Sequence, residues 1–294
     1  MIREIWKRRG WYGFLAPFFL AFAVFQVYPV LEAFRLSLYH TDGLYEQWAG
    51  LGNYTFLLQN RIFWNAIVNT LVIAFLGFPA VIVPAVALAS LINSARAGQN
   101  VFKVIFFAPY VTAIVASAGI WAYLLHPDPE KGLINWALGL VGITGIRWLA
   151  HPSTSKFAVV VYDAWRTMGY AMVLFLAGLQ DIPREYYEAA EIDGAGPLRS
   201  FRFVTLPLLR PVFVFVMIAG FIAAMSRFAD VYMLGDRSGA PARSIQTVVL
   251  YIYELAFSGR ALGKGAATGV LLFIIILVMT LINLRTMHVF GEEA

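Results

Sequence analysis

The chain has 294 residues, of which 60% are hydrophobic and 13% charged, and its mean hydropathy is +0.72. A soluble domain carries roughly 25% charged residues, so this composition excludes an ordinary globular enzyme and points to a membrane. The absence of cysteine excludes disulfides, thiol nucleophiles and cysteine-held metals. The net charge of +5 collects at the ends of apolar runs, which suits a membrane surface better than nucleic acid.

Spanning the hydrocarbon takes about 20 helical residues. Residues 1–11 form a tail carrying Arg3, Lys7, Arg8 and Arg9 against Glu4, and the positive-inside rule places it in the cytoplasm. The first apolar run, Tyr12–Arg35, is too long for a signal-peptide core and is followed by no small-residue cleavage site, so it is expected to persist as a helix. The second, Asn65–Ile92, contains Pro79 and Pro84, which are expected to interrupt and kink it. The third is Val104–Leu125. A short interfacial helix is predicted over Gly132–Gly142, where Leu133, Trp136, Leu140 and Val141 recur at helical spacing. Phe157–Leu179, Val212–Leu234 and Leu262–Leu284 complete six spans and return the carboxyl terminus to the cytoplasm.

Alternation at period two is absent, which argues against a membrane barrel, and no repeat of 20–50 residues is visible. The predicted fold is all-α: one polytopic integral membrane bundle, residues 1–294, of six transmembrane helices with a cytoplasmic helix-turn-helix loop at about 181–211. Small-residue pairs at Ala85/Ala89 and Gly265/Gly269 suit close helix approach.

A polar excursion as long as Glu188–Pro211 is too costly to lie in lipid and must face water or a partner. Asp181-Ile182-Pro183 offers an N-cap and a proline for a first helical turn. A short helix follows, with Glu185, Glu188 and Glu191 as an acidic stripe and Ala189 and Ala190 leaving its backbone accessible. Gly194 suits a left-handed stop, and Gly196-Pro197 restarts the chain into a second helix through Leu206. Phe201, Val204 and Leu208 give that helix an apolar face, and Pro207 and Pro211 are expected to end it.

This stretch resembles the EAA loop of bacterial ABC importer permeases. The residues that carry the resemblance are Glu188-Ala189-Ala190, Asp193-Gly194-Ala195, Phe201 and Leu206-Pro207. The likeness extends to permeases of the maltose and glycerol-3-phosphate type. It runs through Pro17 and Tyr28-Pro29, Gly50-Leu51-Gly52-Asn53-Tyr54, Phe63-Trp64-Asn65, Asn69-Thr70, Ala177-Gly178-Leu179-Gln180 and Tyr251-Ile252-Tyr253. One departure is Leu234-Gly235-Asp236-Arg237-Ser238-Gly239-Ala240-Pro241, where that group often has a Gly-Gly-Pro turn.

The resemblance implies a transport subunit that is not itself an enzyme. Its short helix, with Glu185 and Glu188, would sit in a cleft of an ATPase subunit, and Glu188 would pair with a basic residue there. Gly194 would make the turn, and the second helix would carry motion into the membrane. The implied partners are a second, related permease, two ATP-binding subunits, an extracytoplasmic solute-binding protein and the lipid bilayer of a bacterial or archaeal inner membrane. ATP and Mg would bind the partner ATPases. A sugar, oligosaccharide or polyol phosphate is the expected solute; a non-carbohydrate solute and an ATP-independent secondary transporter are the alternatives.

Three acid–base pairs fall at i, i+3 in or near spans: Glu32/Arg35, Asp163/Arg166 and Arg227/Asp230. Unpaired charge at that depth is expensive, so these groups are expected to face the interior, a cavity or each other. They read either as ion pairs that orient helices or as the lining of a translocation path. Asn69, Trp165, Tyr170 and Tyr232 are candidates to join such a lining. Gly259-Arg260-Ala261-Leu262-Gly263-Lys264-Gly265 has the wrong spacing for a phosphate loop, and the four histidines show no metal-ligand spacing.

Overall fold

The computed structural model describes residues 9–95, 97–143 and 145–289. Arg3, Glu4, Lys7 and Arg8, the charges that set the expected orientation, lie outside the described residues. Apart from one two-stranded hairpin, the regular structure among the described residues is helical. The chain groups into two compact units, Met1–Asn60 with Ile252–Phe273, and Arg61–Tyr251 with Ile274–Ala294.

The first unit opens on α1 (Arg9–Phe22), a π-helical turn at Ala23–Val27, and α2 (Tyr28–Leu36). Within it Phe14–Leu36 is long and apolar enough to cross a membrane. None of its most apolar window is buried within the chain. A β-hairpin follows, β1 (Tyr39–Thr41) on β2 (Glu46–Trp48), with Tyr39 opposite Trp48. Arg35 pairs with Glu32 at 2.6 Å, as its spacing predicts, and with Glu46 at 2.7 Å, so the same guanidinium ties the helix end to the hairpin. That hydrogen bond from Arg35 holds the Glu46 carboxyl below its ordinary range. The Asp42 carboxyl is lowered by the backbone N–H groups of Tyr45 and Leu44. In α3 (Gly52–Gln59) the buried Asn53 donates to the carbonyls of Ser37 and Tyr39 at 2.9 and 2.8 Å, and its Oδ1 lies 2.9 Å from His40 Nδ1. The Gly50–Tyr54 stretch thus serves as the clasp of this unit.

The second unit is built on α4 (Arg61–Ser94), α5 (Gln99–Val111), α6 (Ile114–Leu124), α7 (Leu133–Gly139) and α8 (Pro152–Gln180). The helix α4 runs unbroken past Pro79 and Pro84, contrary to the expected interruption. Its most extensive helix contact is with α8, and neighbouring helices of this kind support the hydrogen bonds that proline removes. The predicted third span is not one helix. The axis turns by 95° between α5 and α6, where Thr112 is extended. Thr112 Oγ1 donates to the Pro109 carbonyl at 2.6 Å, satisfying one acceptor that the broken helix leaves free.

The predicted interfacial segment contains α7, held by Asn135, whose Nδ2 donates to the carbonyls of His126, Pro127 and Ile146. The helix α8 begins five residues before its predicted start, capped by the His151 side chain on the Ser153 N–H. Against it α5 crosses at Gly169, where a Cβ would lie 1.8 Å from the Phe106 carbonyl oxygen. Gly169→Ala should therefore force the two helices apart. The expected cost is about 1–3 kcal/mol, as for other overpacked interiors. A lowered thermal midpoint of the detergent-solubilised protein would register it, and an unchanged midpoint would contradict this crossing.

The polar loop carries α9 (Arg184–Ile192), α10 (Pro197–Ser200), a π-helical turn at Phe201–Thr205 and α11 (Leu206–Leu208). The chain bends by 63° into α12 (Arg210–Met225). The predicted fifth span Val212–Leu234 is likewise broken. Residues 226–228 separate α12 from α13 (Ala229–Gly235). Thr247 Oγ1 donates to the Arg227 carbonyl at 2.7 Å inside this break. The chain ends in α14 (Val248–Tyr253), a π-helical turn at Glu254–Ser258 and α15 (Leu262–Val289).

Among the described residues, four helices can cross a membrane by length and composition, and up to six if each bent pair counts as one span. Two apolar clusters hold the second unit. One joins Ile73, Trp121, Tyr162, Val231 and Ile245; the other joins Ala85, Ala89, Met172, Phe175 and Leu209. The Ala85/Ala89 pair is thus buried against α8, as small residues at a close helix contact should be.

Candidate functional site

A cavity of about 540 Å3 lies within the second unit, with walls from the middle of α4 (Ile73, Gly77), the end of α5 (Tyr110), the middle of α8 and the α12–α13 break. Arg166 stands fourteen residues from each end of the 29-residue α8, so the cavity lies at the midpoint of that helix. Asp163 is eleven residues in from Pro152, roughly 16 Å along the axis. Four charged side chains face the cavity: Asp163, Arg166, Arg227 and Asp230.

Their pairing differs from the i, i+3 expectation in one respect. Arg227 pairs with Asp230, as its spacing predicts, and also reaches across to Asp163, 2.6 Å from its Oδ1. Asp230 is further held by the Val231 N–H at 2.9 Å. Asp163 and Arg166 do not pair. Asp163 is drawn to Arg227, while the Arg166 guanidinium lies over the Tyr110 ring, 5.5 Å from its centroid. Tyr110 stacks on Tyr170 with centroids 4.6 Å apart. The cation of the triad comes from the helix break, where an unwound backbone lets Arg227 reach two carboxylates at once.

The other path candidates fall elsewhere. Asn69 is buried and donates to the carbonyls of Arg243 and Gln246 at 2.7 and 3.1 Å, so it anchors that segment and is not in the cavity wall. Trp165 and Tyr232 pack on the apolar cluster around Trp121 and Tyr162 and do not line the cavity. Tyr170 does line it, and so do Tyr110, Thr167 and Ser226, which the sequence did not single out. Tyr110 precedes the α5–α6 break, and a residue at an unforeseen break carries no periodic signal.

The polar loop has the predicted helix-turn-helix form with two corrections. Asp181 ends α8 and does not cap α9; the residue before α9 is Pro183, which makes no side-chain cap bond. Pro207 does not stop the second helix, since α11 continues to Leu208 and proline is tolerated within a first helical turn. Gly194 has φ +75°, and the Gly194 and Ala195 N–H groups donate to the carbonyls of Glu191 and Ala190 at 3.0 and 2.8 Å. These two bonds satisfy the last carbonyls of α9 and make the sharp stop that glycine permits.

Glu185, Glu188, Ala189 and Asp193 are exposed, while Ala190 and Ala195 are half-buried. Glu188 makes no ion pair among the described residues. Three apolar side chains of the same loop, Ile192, Leu198 and Phe203, are 87%, 80% and 69% exposed. The inner side of the loop is fixed. Phe201 packs on the cluster around Phe175 and Leu209, and Leu206 and Val204 are half-buried. Tyr187 Oη lies 3.0 Å from Thr205 Oγ1, tying α9 to the second helix. The loop therefore presents a charged and apolar outer surface on a base continuous with α4, α8 and α12. In the departing stretch 234–241, Asp236 Oδ1 accepts from the Ser238 N–H and hydroxyl at 2.6 and 2.8 Å, so a side chain shapes this turn.

A helical multi-pass membrane fold, a largely apolar cavity carrying four charged side chains at mid-helix and an exposed, anchored polar loop are features that suit a transport protein. The profile of binding-protein-dependent transport system inner membrane components matches residues 49–287, and the chain belongs to that family. It is 36% identical to the arabinooligosaccharides transport system permease protein AraP of Bacillus subtilis, over 98% of this chain and 91% of that one. It is 33% identical to the lactose transport system permease protein LacF of Rhizobium radiobacter, over 99% and 97%. Its fold matches a chain in the crystal structure of a bacterial alginate ABC transporter in complex with alginate pentasaccharide-bound periplasmic protein. The TM-score is 0.81 at 23% identity, over 96% of this chain and 95% of that one.

Proposed function

We propose that this chain is one of a pair of permease subunits in an ABC importer for a carbohydrate, and that ATP and Mg are bound by two separate ATPase subunits. The observation that carries this reading is similarity to sugar permeases along nearly the whole chain, 98% in the case of AraP. The second permease is a related, non-identical chain, and an extracytoplasmic binding protein delivers the solute. The loop lies on the cytoplasmic side and both termini share that side. The family membership and the absence of a nucleotide motif in the sequence support a transport role without catalysis by this chain.

Closure of the ATPases on ATP moves α9, and the Phe201–Leu209 packing transmits that movement to α4, α8 and α12. The cavity then opens outward to receive solute and inward after hydrolysis. ATP drives this cycle only by favouring one ATPase state over the other, since a ligand shifts an equilibrium by its differential affinity alone. Purification of the tagged chain from its native membrane tests the assembly. The expected result is co-purification of an ATPase and a second permease. A chain that purifies alone, with intact fold and transport activity, would contradict it.

A further inference from the structure

The cavity wall is unequally satisfied. Arg227 is compensated by Asp163 and Asp230, and Asp230 has a further backbone donor. Arg166 has neither. It forms no ion pair or hydrogen bond among the described residues, and its buried Nε takes no acceptor. A guanidinium at the midpoint of a membrane helix without an anion is costly, and stacking on Tyr110 offsets only part of that cost. Arg166 lines the cavity wall with its guanidinium over Tyr110, so the donor fork of this side chain is left without an acceptor beside the cavity. One helical turn away, Asp163 gives Oδ1 to Arg227, while its Oδ2 takes no hydrogen bond and points toward Gly77, where an added Cβ would lie 3.6 Å from it. The wall thus offers a charged donor fork and a carboxylate acceptor on one face of α8.

We propose that this pair is a subsite for an acidic sugar. The carboxylate, phosphate or sulfonate of the solute accepts from the Arg166 fork, and a neighbouring hydroxyl donates to Asp163 Oδ2. Carboxylate, phosphate and sulfonate each offer two oxygens to a guanidinium in a bidentate manner, which a neutral hydroxyl does not. Arg166 is then a specificity-determining residue, and Tyr110 and Tyr170 are positioning residues behind it. This assignment rests on the importer reading above and narrows its substrate class.

The test uses the complete transporter, with its partner permease, ATPases and binding protein, in proteoliposomes. The probe is a mixture of neutral oligosaccharides with their uronate, phosphate-ester and sulfonate counterparts, and mass spectrometry identifies what accumulates with ATP. Accumulation of acidic members is expected. Arg166→Gln should raise their apparent KM about tenfold or more, with Arg166→Lys between the two, because charge remains but the fork is lost. Co-purification of the partner permease and ATPases with each variant checks that the complex still assembles. Accumulation of neutral members alone, or an Arg166→Gln KM within about twofold of the parent, would overturn the subsite and leave the importer standing. Loss of basal turnover together with uptake would also overturn it, assigning Arg166 to the conformational cycle as a second partner for Asp163. Failure to accumulate any member with ATP would remove the importer reading, and the subsite with it.

Discussion

Arg227→Met should be the most damaging single substitution in this chain. Arg227 and Asp230 are the deepest charges of the cavity wall, with side chains 8% and 10% exposed, and Asp163 is 17% exposed. Removing the cation strands two carboxylates together in a poorly hydrated interior. Breaking a buried pair in this way typically costs about 3–5 kcal/mol, more than the pair contributes by forming, because the remaining charge is left unpaired. Here two charges are left. The triple variant Asp163→Asn, Arg227→Met and Asp230→Asn should recover much of the loss, since the three positions then carry no charge to be solvated. Membrane yield and the thermal midpoint of the solubilised protein would check both results. A single variant as stable as the parent, or a triple variant worse than the single one, would mean that the triad does not organise the α12–α13 break.

Glu188→Lys should leave the protein inserted and folded while abolishing productive coupling. Glu188 is exposed and makes no ion pair among the described residues, so the fold loses nothing by its reversal. A hydrogen bond to a charged partner contributes about 1.5–3 kcal/mol, so replacing attraction by repulsion at the ATPase cleft should lower uptake roughly tenfold or more. Two readouts separate the outcomes. Either the ATPase subunits no longer co-purify, or they co-purify and hydrolyse ATP without transport. Normal uptake by the variant would remove Glu188 from the mechanism. The same loop also exposes the apolar side chains of Ile192, Leu198 and Phe203.

Much of this architecture was legible in the sequence because the bilayer imposes length and polarity on every segment. Apolar runs of about 20 residues marked the helices. The stop at Gly194 was legible because a left-handed residue after a short helix favours glycine. What the sequence hid were the breaks. Thr112 and Ser226 interrupt apolar runs that hydropathy treats as continuous, and a window average does not register two or three unwound residues.

The same breaks explain the misassigned charges. Asp163/Arg166 and Arg227/Asp230 are both sound i, i+3 pairs on an ideal helix. Only the second forms, because an unwound Arg227 can reach a carboxylate on a helix distant in sequence. Asn69 was a plausible path residue by type, yet carbonyls of the 243–246 segment occupy its amide. Tertiary hydrogen bonding of that kind leaves no local signal. Pro207 shows the converse: a residue that reads as a stop lies inside a helical turn.

The central claim is that energy enters this permease from outside the chain, through the loop around Glu188. The most direct measurement is solute accumulation in proteoliposomes containing the complete transporter, with ATP and the ATPase subunits each supplied or withheld. The account predicts accumulation against a gradient only when both are present, and its loss in Glu188→Lys. Accumulation that persists without ATP, or without the ATPase subunits, would contradict the account and favour a secondary transporter.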